Sequence, residues 1–520
     1  MTSKTFIAAL VASTCLTSVA WADSLTRVAT VPLGSEITGM YTHGDDLFFN
    51  VQHPSSDLNS PFSKASVGVI ANADFAASAT PVPTTLDEKS VVTSSMGTYQ
   101  ILVQEGDFGT IGKIIGAGGE VTASNDPDFN AFVATGNGAG YLFTNWEDRP
   151  GGMSRVAMQR DASGTWTVNP QDVKMLDFSG VGGTWVNCFG TLSPWNTPLT
   201  SEELYFDETR EWNNPGYVEH DGVQALASYL GYYPNPYNYG HIVEITDPTA
   251  AALPVKMLAL GRFSHENSVV MPDQRTVYLS DDGTNVVFFK FVADVAGDLS
   301  AGTLFAAKIT QLSAAGSDVA KSPLQISWIE LAHGTNEEIA GWVSAYDGIT
   351  PDDHTPDANT YITDEEVAVW ARGEAADNRV AFLETRKAAR AKGATAEFRK
   401  MEGVNINLQG ARDGSVPFMY MAMSEVAKGM SDNKGDIQVT KNKCGVVYQM
   451  RLDDNFNTSM MVPVVAGGAF DKGNMPNACP TSGISNPDNI VVLNSGAVLI
   501  GEDTGHHENN AMWLWRATAK

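Results

Sequence analysis

The sequence predicts an all-β protein, a six-bladed β-propeller with a helical insertion. Runs of four to eight residues rich in Val, Ile, Phe and Tyr recur along the chain, and 48 glycines and 24 prolines separate many of them. A unit of apolar strand, polar turn and apolar strand also repeats, as in PDQRTVYLSDDGTNVVFF and PDNIVVLNSGAVLIGED. Many short strands joined by tight turns indicate a propeller or a large sandwich. The repeated unit is typical of neighbouring strands in one blade and favours the propeller.

One region departs from the β pattern. Between 363 and 392, Ala, Glu, Arg and Leu recur at helical spacing, with Thr363 or Asp364 as the N-cap and Gly393 as the stop. We expect two helices with a break near Gly373. Together with the polar stretch 336–359 they form a predicted insertion at about 336–400. No linker rich in Pro, Gly or Ser divides residues 23–520, so we expect one propeller domain.

Residues 1–22 have the pattern of a signal peptide. A short segment with Lys4 precedes an apolar run, and Ala20-Trp21-Ala22 matches an A-x-A cleavage signal. The apolar run is too short to cross roughly 30 Å of hydrocarbon, and no twin arginine precedes it. We therefore expect Sec export, cleavage after Ala22, a periplasmic or extracellular monomer, and no integral membrane segment.

The remaining chain has three cysteines, Cys188, Cys444 and Cys479. In an oxidising compartment an even number of cysteines is expected to pair, so one thiol is left over. Cys444 and Cys479 flank one short segment and could be bridged. Cys188 is then either a buried core thiol or a ligand, and cysteine counting leaves both alternatives open.

The charge balance restricts the partners. The chain has 60 acidic and 33 basic residues and a formal net charge of -27. This surplus argues against nucleic acid or anionic lipid as a partner. It is compatible with bound cations and equally with a soluble acidic surface.

Acidic or soft donor side chains recur at the start of the predicted strands or just after them. They are Glu36, Glu147, Cys188, Glu266, Glu402, Asp488 and Glu502. In a propeller the innermost strand of each blade lines a central channel, so one donor per blade can converge there. Each carboxylate alone is typical of a turn. As a set among apolar residues they indicate bound cations, because an uncompensated buried charge is costly.

Other catalytic patterns are absent from the sequence. It contains no G-x-S-x-G, P-loop or H-E-x-x-H motif. The pair His506-His507 in GEDTGHHENN is predicted to lie in a loop at the channel rim instead of binding a metal.

Several segments together carry a family resemblance. WVNCFGTLSPWNTPLTSEE, LGRFSHENSVVM, YLSDDG, RKAARAKGATAEFRKMEGVNI and PDNIVVLNSGAVLIGED resemble the PhoX-type alkaline phosphatases, secreted calcium-dependent phosphatases with a β-propeller fold. In the first segment Asn187, Cys188, Pro194, Trp195, Glu202 and Glu203 match the family pattern. This sequence departs from it at Asn196, Pro198 and Ser201, and Lys400-Met401-Glu402 stands where the family has R-P-E. An arginine near the site is therefore lost unless Arg399 replaces it.

The resemblance implies Fe³⁺ and Ca²⁺ cofactors held mostly by carboxylates and one thiolate. It makes Cys188 the thiolate ligand, with Glu266 and Glu402 in the same cluster. The other implied ligands are Glu147, Glu202, Glu203, Asp488 and Glu502, and Arg262 and Asn489 become candidate catalytic or substrate contacts.

The implied function is that of a secreted metal-dependent phosphatase. It would hydrolyse phosphomonoesters, its partner being a small-molecule phosphate ester, with a metal-bound oxygen as the nucleophile. Two alternatives remain. One is a lactonase-like propeller hydrolase with a single Ca²⁺, and the other is a non-catalytic binding propeller stabilised by metals.

Overall fold

The computed structural model describes residues 23–203, 209–355 and 358–518. The predicted signal peptide 1–22 lies outside the described residues. Among them, no helix is long and apolar enough to span a membrane. The described chain folds into antiparallel sheets, most of them arranged as blades around a central channel.

The first half of the chain forms three complete blades. The first blade consists of β2 (Glu36–His43), β3 (Asp46–Gln52), β4 (Ser66–Ile70) and β6 (Tyr99–Gln104). Strand β1 (Ser24–Thr30) precedes it, and β5 (Thr93–Ser94) comes between β4 and β6 in the sequence. A hairpin of β7 (Lys113–Gly116) and β8 (Gly119–Ala123) leads to β9 (Pro127–Gly136), β10 (Ala139–Trp146), β11 (Gly152–Arg160) and β12 (Trp166–Met175). The third blade comprises β13 (Asn187–Leu192), β14 (Pro198–Glu202), β15 (Ile242–Thr246) and β16 (Leu253–Met257). Strand β5 pairs with β1, outside the first blade.

The second half of the chain forms the other three blades. The fourth contains β17 (His265–Val270), β18 (Thr276–Asp281), β20 (Phe289–Val295) and β21 (Asp298–Gln311), with β19 (Thr284–Val286) paired to β23 (Phe398–Arg399). Strand β22 (Leu324–Thr335) connects it to the fifth blade, β24 (Met401–Ile406), β25 (Phe418–Met423), β26 (Val446–Arg451) and β27 (Met460–Ala466). The sixth blade contains β28 (Pro487–Val492), β29 (Val498–Glu502) and β30 (Ala511–Arg516).

The innermost strands form a closed ring. Strands β2, β9, β13, β17, β24 and β28 each contact the next one, and β28 contacts β2. The N-terminal strand β1 pairs antiparallel with the C-terminal β30, from Ser24 opposite Arg516 to Thr30 opposite Ala511. The two chain ends thus complete one blade together. This arrangement confirms the predicted propeller.

The described α-helices are α1 (Leu86–Lys89), α2 (His220–Leu230), α3 (Asn336–Ser344), α4 (Asp364–Ala371), α5 (Arg379–Leu383), α6 (Thr385–Ala391) and α7 (Leu408–Asp413). Four of the described α-helices, α3 to α6, lie between the fourth and fifth blades, and α1, α2 and α7 lie between strands of single blades. Thr363 caps α4, and Gly373 lies just after α4 with a φ of +77°. Where the sequence predicts one second helix, the structure has α5 and α6. The backbone of Glu384 between them is not helical, and its carboxylate accepts hydrogen bonds from Thr209 (2.6 Å) and Tyr237 (3.0 Å).

The three cysteines differ in their environment. Cys444 and Cys479 form a disulfide, while Cys188 is a free buried thiol. The disulfide joins the residue two positions before β26 to the loop that leads into β28, so it links the fifth blade to the blade that closes the ring.

We predict that the double substitution Cys444→Ser/Cys479→Ser lowers the free energy of unfolding by about 3 to 4 kcal/mol. The bridge closes a loop with a sequence separation of 35 residues and so lowers the conformational entropy of the unfolded chain. Without the bridge the unfolded chain regains this entropy and becomes more favourable relative to the folded state. Chemical denaturation with and without a reducing agent measures the loss. If the oxidised protein and the variant unfolded at the same denaturant concentration, the disulfide would not stabilise the closed ring.

Candidate metal centre

Five of the six innermost strands carry a β-bulge near their first residue. In β13, Asn187 pairs with Glu202 and Gly190 pairs with Thr200, so three steps along one strand match two along its partner. Comparable register shifts occur in β9, β17, β24 and β28. The first residue inside each of these bulges is an acidic residue or the cysteine: Asp128, Cys188, Glu266, Glu402 and Asp488. Because a bulge re-aims the side chain it contains, each of these blades can direct one donor into the channel.

The remaining innermost strand, β2 of the first blade, has a glycine at its bulge. Gly39 of β2 has a φ of +57°, and a Cβ there would lie 2.2 Å from the Asn50 amide and 2.6 Å from the Asp128 carbonyl oxygen. A side chain is therefore excluded. Glu36, three residues earlier, pairs instead with His53 at 2.9 Å, and burial and the charge of Asp503 raise its pKa to about 8.

A second set of carboxylates comes from the second strand of four blades. Each residue directly follows the last residue of that strand. They are Glu147 after β10, Glu203 after β14, Asp282 after β18 and Asp503 after β29. The second strand pairs antiparallel with the bulged one, so its end lies beside the bulge. Both sets therefore lie at the same end of the channel.

These donors form three overlapping groups. Within each group the ligand atoms lie within 4.8 Å of one another. The groups are Asp128, Glu147 and Cys188; Cys188, Glu203 and Glu266; and Glu266, Glu402 and Asp488. Cys188 Sγ lies 3.1 Å from Asp128 Oδ2 and 3.1 Å from Glu266 Oε2. Since Cys188 and Glu266 each belong to two groups, the donors form one continuous cluster.

Burial opposes ionisation throughout the cluster. It raises the pKa of Glu147, Glu203, Glu266 and Asp488 well above the usual range, and neighbouring carboxylates add to each increase. Burial is also the main cause that raises the pKa of Asp128 to about 6 and that of Glu402 to about 7. Burial and the surrounding carboxylates also raise the pKa of the Cys188 thiol. A bound cation would reverse these shifts by favouring the ionised forms.

Lys400 contributes a positive charge at this cluster. Its Nζ lies 3.1 Å from Glu402 Oε1 and 3.2 Å from Asp282 Oδ2. Burial lowers its pKa, but the charges of Glu402, Asp282, Glu203 and Asp503 together outweigh burial and raise it above the usual value. The Lys400 backbone has a φ of +51°, an uncommon conformation for a side chain of this size and one that often marks functional positions. Arg399 instead bonds Glu425 at 3.0 Å, so the lysine supplies the charge here.

Two predicted ligands lie outside the three groups. Glu202 pairs with Lys256 at 2.9 Å and accepts the backbone N–H groups of Trp185 and His241. Glu502 faces His507 Nδ1 at 2.9 Å and accepts bonds from three further N–H groups, those of Ser485, Ala511 and the Trp513 indole. Both are the last residues of second strands. Successive side chains there point in different directions, so the following residues, Glu203 and Asp503, lie nearer the cluster.

The predicted substrate contacts differ in position. Arg262 is buried away from the three groups, where its guanidinium donates to the carbonyls of Pro236, Tyr239 and Leu383. It ties the start of the fourth blade to α5. Asn489 lies at the cluster and its amide donates to Asp488 (3.2 Å) and Asp128 (3.4 Å). Its amide oxygen is buried without a partner among the described residues.

Sequence reasoning missed four residues near the cluster. Asp128, Asp282 and Asp503 are not among the predicted donors, and Lys400 stands at the position where the sequence indicates the loss of an arginine. Asp128 obeys the rule that identified the other donors, because it stands just before the apolar run AFVATG. Asp282 and Asp503 follow buried strands directly and could have been found by asking what comes one residue after each second strand.

Comparison with known proteins gives one family. The family model described as Alkaline phosphatase PhoX matches residues 149–519. The solved structure of Pseudomonas fluorescens PhoX with vanadate is 17% identical, with a TM-score of 0.53 over 94% of this chain and 87% of that one. A putative 6-phosphogluconolactonase from Bacteroides fragilis is 10% identical, with a TM-score of 0.33 over 93% and 88%. No curated protein matches the chain significantly.

We predict opposite effects of Glu202→Gln and Glu203→Gln on the protein freed of metal by a chelator. The first leaves Lys256 buried without its partner and lowers the free energy of unfolding by about 3 kcal/mol. The second removes a carboxylate whose pKa is raised by burial, Asp282 and Glu147, and so raises the melting temperature at pH 8.

The pH dependence follows from the raised pKa of Glu203. Such a group destabilises the folded state above its unfolded pKa, so the gain from Glu203→Gln shrinks as the pH falls toward that value. Differential scanning fluorimetry from pH 5 to pH 8 measures both variants. Equal destabilisation by both would contradict the separation of Glu202 from the cluster.

Proposed function

We propose that this chain, which belongs to the PhoX family of alkaline phosphatases, hydrolyses small phosphomonoesters. The reaction would take place at a multinuclear iron and calcium centre in the propeller channel. The observation that carries this proposal is the continuous cluster of donors shared between blades. Buried carboxylates this close to one another are costly unless cations compensate their charge.

The donor types support both cofactors. Carboxylate oxygens suit Ca²⁺ and Fe³⁺, whereas a thiolate selects a transition metal. We therefore assign iron to the two groups that contain Cys188, with Asp128, Glu147, Glu203 and Glu266 as the other donors. The group of Glu266, Glu402 and Asp488 offers only oxygen atoms and fits calcium. Glu36 and Asp503 are near enough for their charges to act on Asp488.

When bound, these cations would supply charge neutralisation for the phosphoryl oxygens and an activated water for the attack. The chain's own residues bind and orient the ester. Lys400 can donate to a phosphoryl oxygen while it remains beside Glu402 and Asp282. Asn489 holds Asp128 and Asp488 through its amide and so orients two donors, which makes it a positioning residue in this arrangement.

Export is part of the same proposal. We infer that residues 1–22 act as a Sec signal peptide and that the mature enzyme works in the periplasm or outside the cell. The disulfide between Cys444 and Cys479 supports this inference, because disulfides persist mainly in oxidising compartments. The net charge of -27 favours a small ester over nucleic acid as the substrate.

We predict that protein purified without chelator contains iron and calcium and hydrolyses p-nitrophenyl phosphate at alkaline pH. Cys188→Ser removes the soft donor shared by two groups, so it should lower the iron content and abolish most of the activity. Elemental analysis and the phosphatase assay are made on the same samples, with Cys444→Ser/Cys479→Ser as a cysteine control away from the cluster.

The alternative functions give different results. A lactonase-like hydrolase with one Ca²⁺ would retain its metal and its activity in Cys188→Ser. A binding propeller with structural metals would contain iron and calcium without turning over the ester. Metal-free protein that is fully active would contradict the proposed cofactors.

We also predict that Lys400→Met lowers kcat/KM for p-nitrophenyl phosphate by roughly 100-fold, the usual effect of removing one charged donor from a site of developing negative charge. Lys400→Arg should retain more activity because it keeps the charge. Arg399→Met is the matched control, since Arg399 bonds Glu425 instead of the cluster. Equal losses in the Lys400 and Arg399 variants would mean that the segment only supports the fold.

A further inference from the structure

The propeller channel contains a second compartment at the opposite end from the carboxylates. A cavity of about 340 Å³ opens there, and later residues of all six innermost strands line it. In β13, for example, Cys188 belongs to the metal centre and Phe189 to Leu192 line the cavity. The turns between first and second strands supply part of the rim, among them Gly44, Asn196 and Asn494.

The cavity lining carries no charge in the described part of the chain. None of the described residues that line it is Asp, Glu, Lys, Arg or His, although the chain contains 60 acidic and 33 basic residues. An anion would find no cationic partner there, and a cation would find no carboxylate. An ionic ligand would lose its hydration without compensation. The compartment therefore suits an uncharged ligand.

The polar groups of the lining are mostly carboxamides and hydroxyls. Asn196, Asn405, Asn407, Gln409 and Asn494 lie at or near the rim, and Phe129 and Phe189 lie deeper, next to the metal centre. Asn130 also lies deeper, but its amide is already bonded to Gly39, Asn50 and Thr144. A carboxamide offers donors and an acceptor in one plane, which match pairs of hydroxyl groups on a ligand. Small-molecule sites typically have volumes of about 300 to 1,000 Å³ and combine an apolar wall with a few polar groups.

Three of these amides, those of Asn405, Asn196 and Asn494, have a side-chain nitrogen with no hydrogen bond to a described residue. The Asn405 side-chain oxygen accepts the backbone N–H of Val492 at 3.2 Å, and its amide nitrogen has no partner among the described residues. The Asn196 side chain likewise has no hydrogen bond to any described residue. Asn407, in contrast, is already bonded to Val492, Asn494 and Gly410. Asn405, Asn196 and Asn494 thus offer amide nitrogens that can donate to a ligand.

We propose that this compartment binds a neutral polyhydroxylated molecule, a monosaccharide or polyol, separately from the phosphate ester at the metal centre. Phe129 and Phe189 would contact the carbon face of the ligand, and the amide nitrogens of Asn405, Asn196 and Asn494 would bond its hydroxyls.

The test is ligand-observed saturation-transfer NMR and calorimetry on the metal-loaded full-length mature protein. The neutral probes are D-glucose, D-galactose, D-mannose, D-ribose and glycerol, and the charged matches are D-glucuronate and D-glucosamine. We expect at least one neutral probe to bind about tenfold or more tightly than D-glucuronate and D-glucosamine do. No saturation transfer to any neutral probe, or equal binding of a charged match, would overturn the proposal.

Variants locate the binding. Asn405→Ala should weaken binding of the neutral probe about tenfold or more. If Asn405→Ala fails to fold, the double variant Asn196→Ala/Gln409→Ala should weaken it likewise, because it changes two exposed residues, Asn196 in a turn and Gln409 in α7. Asn455→Ala, an exposed asparagine outside the cavity, is the control and should bind normally. The Asn196/Gln409 variant should keep its activity on p-nitrophenyl phosphate. Unchanged sugar binding in both cavity variants would overturn the assignment.

Discussion

Repulsion among buried carboxylates at one end of the channel is the constraint on which the site depends. Glu147, Glu203, Glu266 and Asp488 all have a pKa raised by burial and by the charges of neighbouring carboxylates. Lys400 offsets part of this charge through Glu402 and Asp282. A propeller can maintain such a concentration because the donors of the three groups come from five blades, and hydrophobic clusters between neighbouring blades hold those blades together. Cations are the natural compensation for the remainder.

The strand geometry decides which acidic residues take part. Bulges turn Asp128, Cys188 and Glu266 toward the channel, and the ends of four second strands each place one more carboxylate beside the bulges. The residue immediately before that carboxylate has a different task. Glu202 with Lys256 and Glu502 with His507 hold the strand ends through buried hydrogen bonds. Adjacent acidic residues thus divide into one that supports the blade and one that faces the cluster.

Much of this arrangement could be predicted from the sequence because strand periodicity and turn residues are local signals. The short apolar runs indicated the propeller, and the rule of one donor per innermost strand selected Cys188, Glu266, Glu402 and Asp488, which the structure brings together. The assignment of Glu202 and Glu502 depended on register within one residue, and the bulges that set the register leave no clear sequence signal. Arg262 matched a family segment, but its carbonyl partners come from distant parts of the chain. The break at Glu384 likewise depends on tertiary contacts with Thr209 and Tyr237.

The measurement that tests the central claim most directly is anomalous X-ray diffraction at the iron absorption edge from crystals grown without chelator. The account predicts an anomalous peak at bonding distance from Cys188 Sγ, among the oxygens of Asp128, Glu147, Glu203 and Glu266. A density map without any cation between these side chains, in protein that hydrolyses phosphate esters, would contradict it.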